Sequence, residues 1–138
     1  MRPLAVMVID DEPSTCAFLQ AVFTAEGHAC RTFLGADDAF KHLAESHVDL
    51  ALIDVFLGPA NGIDLLRRLR ELQPDLYAVI MTAQVSVETA ARSVAEGAVD
   101  YVSKPVTIET LREIATRARV RRAQSREATP SSEPEVEV

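Results

Sequence analysis

The sequence contains no tryptophan and only two cysteines, and its 14 Lys and Arg residues fall short of its 21 Asp and Glu residues. So little cysteine excludes a secreted disulfide framework and a thiolate metal cage, and Cys16 and Cys30 read as small buried hydrophobes with reduced thiols. The basic deficit leaves a net charge of −7 and a pI near 4.9, so no global field draws the chain to anionic partners. Direct nucleic-acid binding is therefore not expected. No apolar stretch approaches the roughly 18 residues that span a bilayer, and the start MRPLAVMVIDDEP lacks a signal peptide's basic-then-apolar run. A cytoplasmic location with no membrane association is expected. Repeats at solenoid spacing are also missing. What is present, 48% hydrophobic and 25% charged residues over 138 positions, is the composition of one globular domain.

Composition changes near residue 122. Residues 1–122 read as one domain, and residues 123–138, AQSREATPSSEPEVEV, as an acidic Ser/Pro/Glu-rich tail or linker with little to bury. Within the domain, short apolar runs alternate with segments of helical period, the pattern of βα units around a parallel sheet. Five units can be counted. Their strands are expected at Leu4–Ile9, Ala29–Phe33, Leu50–Ile53, Leu76–Met81 and Val99–Val102, with Ala29–Phe33, the most mixed, at an edge. Helices are expected near Ser14–Ala25, Ala36–Ser46, Gly62–Leu72, Ser86–Glu96 and Thr107–Arg122, punctuated by Pro13, Asn61, Pro74, Gly97 and Pro105. The fourth helix is expected to bury only Val87, Ala90, Ala91 and Val94, small side chains that let it shift.

Acidic residues gather where strands finish. Asp10, Asp11 and Glu12 follow LAVMVI, and Asp54 follows LALI. Open parallel sheets bind ligands at the carboxyl ends of their strands, and if strands one and three are central neighbours these carboxylates converge there. Thr82 and Lys104 end the next two strands in the same way. One strand-end Asp is more often a cap or turn residue, but five polar groups from four strand ends make a site. At an effective dielectric near 20, each carboxylate pair at ~4 Å costs about 4 kcal/mol before screening, so the cluster wants a cation. All-oxygen ligands suit Mg²⁺, with Mn²⁺ possible. With Lys104 opposite and the Thr82 hydroxyl beside it, the pocket suits a phosphoryl group, which a carboxylate nucleophile can carry as an acyl phosphate.

These motifs, VIDDEP, ALIDVFLGPANGIDLL, VIMTAQ and GAVDYVSKP, resemble the receiver domain of two-component response regulators over about residues 4–120. The resemblance implies a flavodoxin-like (βα)5 three-layer sandwich, with a parallel five-stranded sheet of order 2-1-3-4-5. It also implies that Asp54 accepts a phosphoryl group from the phosphohistidine of a histidine kinase or phosphotransfer protein. By the same resemblance Asp10, Asp11, Asp54 and the Phe56 backbone carbonyl hold the metal, while Thr82, Lys104 and the Ala83 backbone N–H hold phosphoryl oxygens. Phe56 and Gln84 flank the pocket at positions that tune the hydrolytic water. Thr82 and Tyr101 form the switch, remodelling the face of the fourth helix, fifth strand and fifth helix, through which a homodimer can form. A cis Lys104–Pro105 bond is implied too. Such a protein catalyses only its own Asp phosphorylation and slow autodephosphorylation, and is not an ordinary enzyme.

Two patterns depart from the common receiver: Leu57-Gly58 stands where Met-Pro is frequent, and Val106 replaces a frequent Phe. Two alternatives stay open. One is a degenerate, phosphorylation-independent receiver that acts as a protein-binding module. The other is a haloacid-dehalogenase-like Mg²⁺ phosphatase, which needs a second Asp where this chain has Phe56. His28, His42 and His47 lack ligand spacing and read as surface or packing residues. The arginines between Arg112 and Arg122 read as a solvated face or a surface for an acidic partner.

Overall fold

The computed structural model describes residues 2–132, with side chains described through Ser125. The main sheet has five strands: β1 (Ala5–Ile9), β2 (Ala29–Phe33), β3 (Leu50–Asp54), β4 (Tyr77–Thr82) and β5 (Asp100–Ser103). Between and after them lie α1 (Pro13–Ala25), α2 (Ala36–Glu45), α3 (Gly62–Leu72), α4 (Val87–Ala95) and α5 (Ile108–Ser132). All four pairings are parallel and the order is β2-β1-β3-β4-β5, the doubly wound flavodoxin-like arrangement. The mixed strand β2 takes one edge, and the three central strands are the continuously apolar ones.

Side-chain alternation along the strands divides the core into two layers. Val6 and Val8 of β1, Leu52 of β3 and Val79 of β4 pack with Leu19 and Phe23 of α1 and Leu111 and Ile114 of α5. Their neighbours Met7, Ile9, Ile53 and Ile80 point the other way, onto Leu43 of α2 and Leu66 and Leu69 of α3. Both faces of the sheet are thus covered, which is why its strands need to be apolar throughout.

Three features differ from the sequence expectations. First, α4 turns its two valines outward: Val87 is 88% and Val94 68% exposed, and Ala91 is exposed too. Its one buried residue is Ser93, whose Oγ donates to the Thr89 carbonyl at 2.8 Å. The rotation matches the polar partners of α4 on α3, where Arg92 meets Asp64 at 3.1 Å and Glu96 meets Arg67 at 3.6 Å. Second, α5 continues to Ser132 rather than ending at Arg122. Ala123, Gln124, Arg126, Glu127 and Ala128 are strong helix formers, a local propensity that average composition conceals. The rest of the proposed tail, residues 133–138, lies outside the described residues. Third, a two-residue antiparallel ladder pairs Phe56–Leu57 with Ala60–Asn61 directly after β3. Gly58 makes its tight turn at φ +61°.

Three arginines of α5 have acidic partners within the chain: Arg112 binds Glu26 at 3.0 Å, Arg117 binds Asp100 at 3.1 Å, and Arg122 binds Asp49 at 3.1 Å. Among the described residues no helix is long and apolar enough to cross a membrane.

Candidate functional site

The parallel topology carries the ends of β1, β3, β4 and β5 to one edge of the sheet, where Asp10, Asp11, Asp54 and Lys104 meet and Thr82 ends β4. Asp10 and Thr82 are fully buried and Asp54 is 5% exposed, while Asp11 stands at the surface. Carboxylate oxygens of Asp10, Asp11 and Asp54 lie within 4.8 Å of one another. Lys104 reaches in from the end of β5: its Nζ is 2.8 Å from Asp10 Oδ2 and 3.3 Å from Asp54 Oδ2. The Lys104–Pro105 peptide is cis.

Backbone donors fix the acids. Asp10 Oδ1 accepts from the Glu12 N–H at 2.9 Å, and Asp11 Oδ2 accepts from the Gly58 N–H at 3.0 Å. Asp54 Oδ1 accepts from the Phe56 N–H at 3.4 Å, two residues along its own chain. Gly62 holds the floor of the loop. A Cβ there would overlap the Asp54 carbonyl oxygen, and the Gly62 N–H donates to the Val55 carbonyl at 2.7 Å. The loop from Asp54 to Gly62 therefore tolerates Leu57-Gly58 in place of another pair, because the ladder and Gly62 set its path.

The electrostatics are those of crowded, half-neutralised acid. Burial, then the neighbouring Asp10 charge, push the Asp54 carboxyl above its usual range despite Lys104. Burial works against the Lys104 charge, but the hydrogen bond and charge of Asp10, then the charge of Asp54, outweigh it and hold the ammonium above its usual range. One ammonium faces two buried carboxylates and a third at the surface, so the cluster retains excess negative charge. An all-oxygen donor set with that excess fits a hard divalent cation.

Thr82 ends β4 and Tyr101 lies in β5, the two residues expected from sequence to form a switch. The Thr82 hydroxyl accepts from the Gln84 N–H at 3.0 Å and donates to the Gln84 carbonyl at 3.3 Å. Tyr101 is partly buried against the layer formed by α2 and α3, and Ala83 and Gln84 are exposed at the rim. Phe56 is 51% exposed beside Asp54. None of the three histidines belongs to this cluster: His42 packs on the Phe33 ring at 5.2 Å, and His47 lies by Asp49 and Asp75. His28, at the opposite end of the sheet, is buried and accepts the Leu4 N–H at 2.9 Å. Cys16 is buried beneath Asp10, donating its Sγ–H to the Asp10 carbonyl at 3.3 Å, whereas Cys30 is only partly buried. Burial pushes the Cys30 thiol up to about 12, which disfavours the thiolate.

Glu12 is the contact that sequence reading did not resolve. Its Oε1 lies 3.4 Å from Lys104 Nζ. Its place behind the acidic pair marks it as near the site, but nothing local reveals a partner 92 residues away.

The description "Response regulator receiver domain" matches residues 6–116. "Transcriptional regulatory protein ZraR" of Salmonella typhimurium is 35% identical over 113 residues, covering 82% of this chain and 26% of that protein. The chain thus spans about a quarter of the length of that curated relative. A CheY-like receiver domain protein from Methanospirillum hungatei superposes with a TM-score of 0.84 at 22% identity, covering 89% of this chain and 99% of the other. A response regulator from Burkholderia pseudomallei, solved with a phosphorylated aspartic acid, calcium ion and citrate, gives 0.78 at 29% identity over 92% of this chain and 74% of the other. With the strand order, the strand-end acids and the family match in agreement, this chain belongs to the response regulator receiver domain family.

Proposed function

We propose that this receiver takes a phosphoryl group onto Asp54 from the phosphohistidine of a histidine kinase or phosphotransfer protein, and that the modification reshapes the face of α4, β5 and α5. The observation that carries this reading is Lys104 Nζ, 3.3 Å from Asp54 Oδ2 and 2.8 Å from Asp10 Oδ2 beside the three-carboxylate cluster. The solved relative with a phosphorylated aspartic acid and a calcium ion supports it.

The nucleophile is the Asp54 carboxylate. One of its oxygens forms the new bond to phosphorus as the bond to the histidine nitrogen breaks, and that electron pair leaves with the imidazole. Lys104 is placed to neutralise an equatorial oxygen of the transferred group, joined by the Thr82 hydroxyl and the Ala83 backbone N–H. Asp10, Asp11, Asp54 and the Phe56 carbonyl would hold Mg²⁺ or Mn²⁺. When bound, the ion neutralises charge on the phosphoryl oxygens and aligns donor with acceptor. Phe56 and Gln84 border the approach of the water that hydrolyses the acyl phosphate.

For Thr82 to reach a phosphoryl oxygen it gives up its two contacts with Gln84, and the space it leaves admits Tyr101. The exposed Val87 and Val94 put apolar surface on α4, which favours a second copy of the chain as partner for that face. Incubation with acetyl phosphate and Mg²⁺, read by intact mass, tests the proposal. A metal-dependent gain of one phosphoryl group in wild type and none in Asp54→Asn is expected. No gain in wild type under any donor or metal condition would favour the phosphorylation-independent binding module.

A further inference from the structure

Lys104 touches one more carboxylate than the phosphoryl site requires. Its Nζ contacts Asp10 at 2.8 Å, Asp54 at 3.3 Å and Glu12 at 3.4 Å. Asp10 and Asp54 belong with Asp11 to the close cluster; Glu12 stands outside it.

The local chain explains how Glu12 comes to face Lys104. It is the N-cap of α1, with extended backbone (φ −98°, ψ 113°) and Pro13 opening the helix. Ser, Thr, Asp or Asn at an N-cap ordinarily turns its side chain onto the free N–H groups of the first helical turn. Glu12 makes no such bond. Its Oε1 accepts from Thr15 Oγ1 at 3.3 Å and from Lys104, while its own N–H is committed to Asp10 Oδ1 at 2.9 Å. Backbone and side chain of one residue therefore span from Asp10 to the ammonium opposite it.

An ammonium has three N–H donors, and here each has a carboxylate to bind. Any cation drawn to Asp10, Asp11 and Asp54 competes with Lys104 for two of its three acceptors. Glu12 is the acceptor outside that competition. We propose that Glu12 is a positioning residue for Lys104, retaining the ammonium at the rim of the pocket when Asp10 and Asp54 turn to a divalent cation. Lys104 then stays beside Asp54, free of Asp10 and ready for a phosphoryl oxygen. The inference rests on the reading of Asp54 as phosphoacceptor. Without the Glu12 carboxylate, Lys104 falls back on Asp10 and opposes the cation.

A double-mutant cycle on Mg²⁺ binding separates this role from that of a distant negative charge. Mg²⁺ affinity is measured by calorimetry on the intact chain for wild type, Glu12→Gln, Lys104→Ala and the double variant. Coupling through Lys104 predicts about fivefold weaker binding in Glu12→Gln and nearly no effect of the same change in the Lys104→Ala background. An equal loss in both backgrounds would overturn the proposal, since a plain charge acts whether or not Lys104 is present. A wild type that binds no Mg²⁺ would overturn the phosphoacceptor reading and this inference together. Should Lys104→Ala fail to fold, a crystal structure of the Mg²⁺-loaded wild type decides. Nζ is expected to stay in hydrogen-bond range of Glu12 and to leave Asp10 beyond about 3.5 Å; Nζ kept on Asp10 and lost from Glu12 would overturn it.

Discussion

The Tyr101 hydroxyl accepts a hydrogen bond from the Ser86 N–H at 3.4 Å, which ties the aromatic of β5 to the residue that caps α4. Ser86 in turn accepts the Thr89 N–H on its Oγ at 3.0 Å. Rotation of Tyr101 would break this link to the residue that caps α4. Tyr101→Phe keeps the ring and removes the link. Its expected cost is small, about 0.5 kcal/mol for a long, exposed bond, with faster amide hydrogen exchange confined to the first turn of α4. Unchanged exchange there would break the connection between ring and helix.

α4 buries little of its own surface against the domain. Val87 and Val94 face solvent, Ser93 is its one buried residue, and α3 meets it through Asp64–Arg92 and Arg67–Glu96. Exposed pairs of this kind contribute at most about 1 kcal/mol each and are screened by salt. Arg92→Ala is expected to lower the melting temperature slightly at low ionic strength and to match wild type near ~1 M salt. Melting curves at both salt concentrations check this, and a loss that persists at high salt would point to packing instead.

Burial and Asp10 repulsion act against the Asp54 charge, so the ionised group destabilises the fold when no cation is bound. Asp54→Asn is expected to melt above wild type in metal-free buffer. Added Mg²⁺ should stabilise wild type in proportion to binding and the variant less. A metal-free variant less stable than wild type would show that Lys104 already offsets the crowding.

His28 sets a pH dependence at the far end of the sheet. Burial first, then the Arg119 guanidinium 3.3 Å from Nε2, lower its pKa; Glu26 opposes them, and Arg122 adds the smallest lowering. The neutral ring accepts the Leu4 N–H on Nδ1, an acceptor lost on protonation. Because the folded pKa lies below the unfolded value near 6.5, the native state binds fewer protons. The His28 contribution is full above that value and is lost as pH falls through the lowered folded one. His42, lowered by burial and then by Arg31, adds in the same direction. Melting temperatures between pH 8 and pH 5 should fall less steeply in His28→Asn than in wild type, and parallel slopes would assign the dependence elsewhere.

The sheet was legible because its strands need apolar residues on both faces: Leu4–Ile9 and Leu76–Met81 carry that requirement in their composition. Asp10, Asp54, Thr82 and Lys104 were legible as a group because parallel strands bring their ends to one edge. The rotation of α4 was not. Val87 and Val94 lie seven residues apart and imitate a buried stripe, while ion pairs with α3 and the back-bonded Ser93 decide the face. The length of α5 escaped because a tail rich in Ser, Pro and Glu overall begins with good helix formers. The Glu12–Lys104 contact escaped because it joins the start of α1 to the end of β5, a proximity that only the assembled sheet creates.

In the proposed function Asp54 itself carries the phosphoryl group. The most direct test is reduction of the acetyl phosphate-treated protein with borohydride, followed by peptide mass mapping. An acyl phosphate on Asp54 becomes homoserine at that position, and this conversion is expected at residue 54 in the presence of Mg²⁺ and not without the metal. Conversion at Asp10 or Asp11, or at no carboxylate despite phosphoryl uptake, would contradict it.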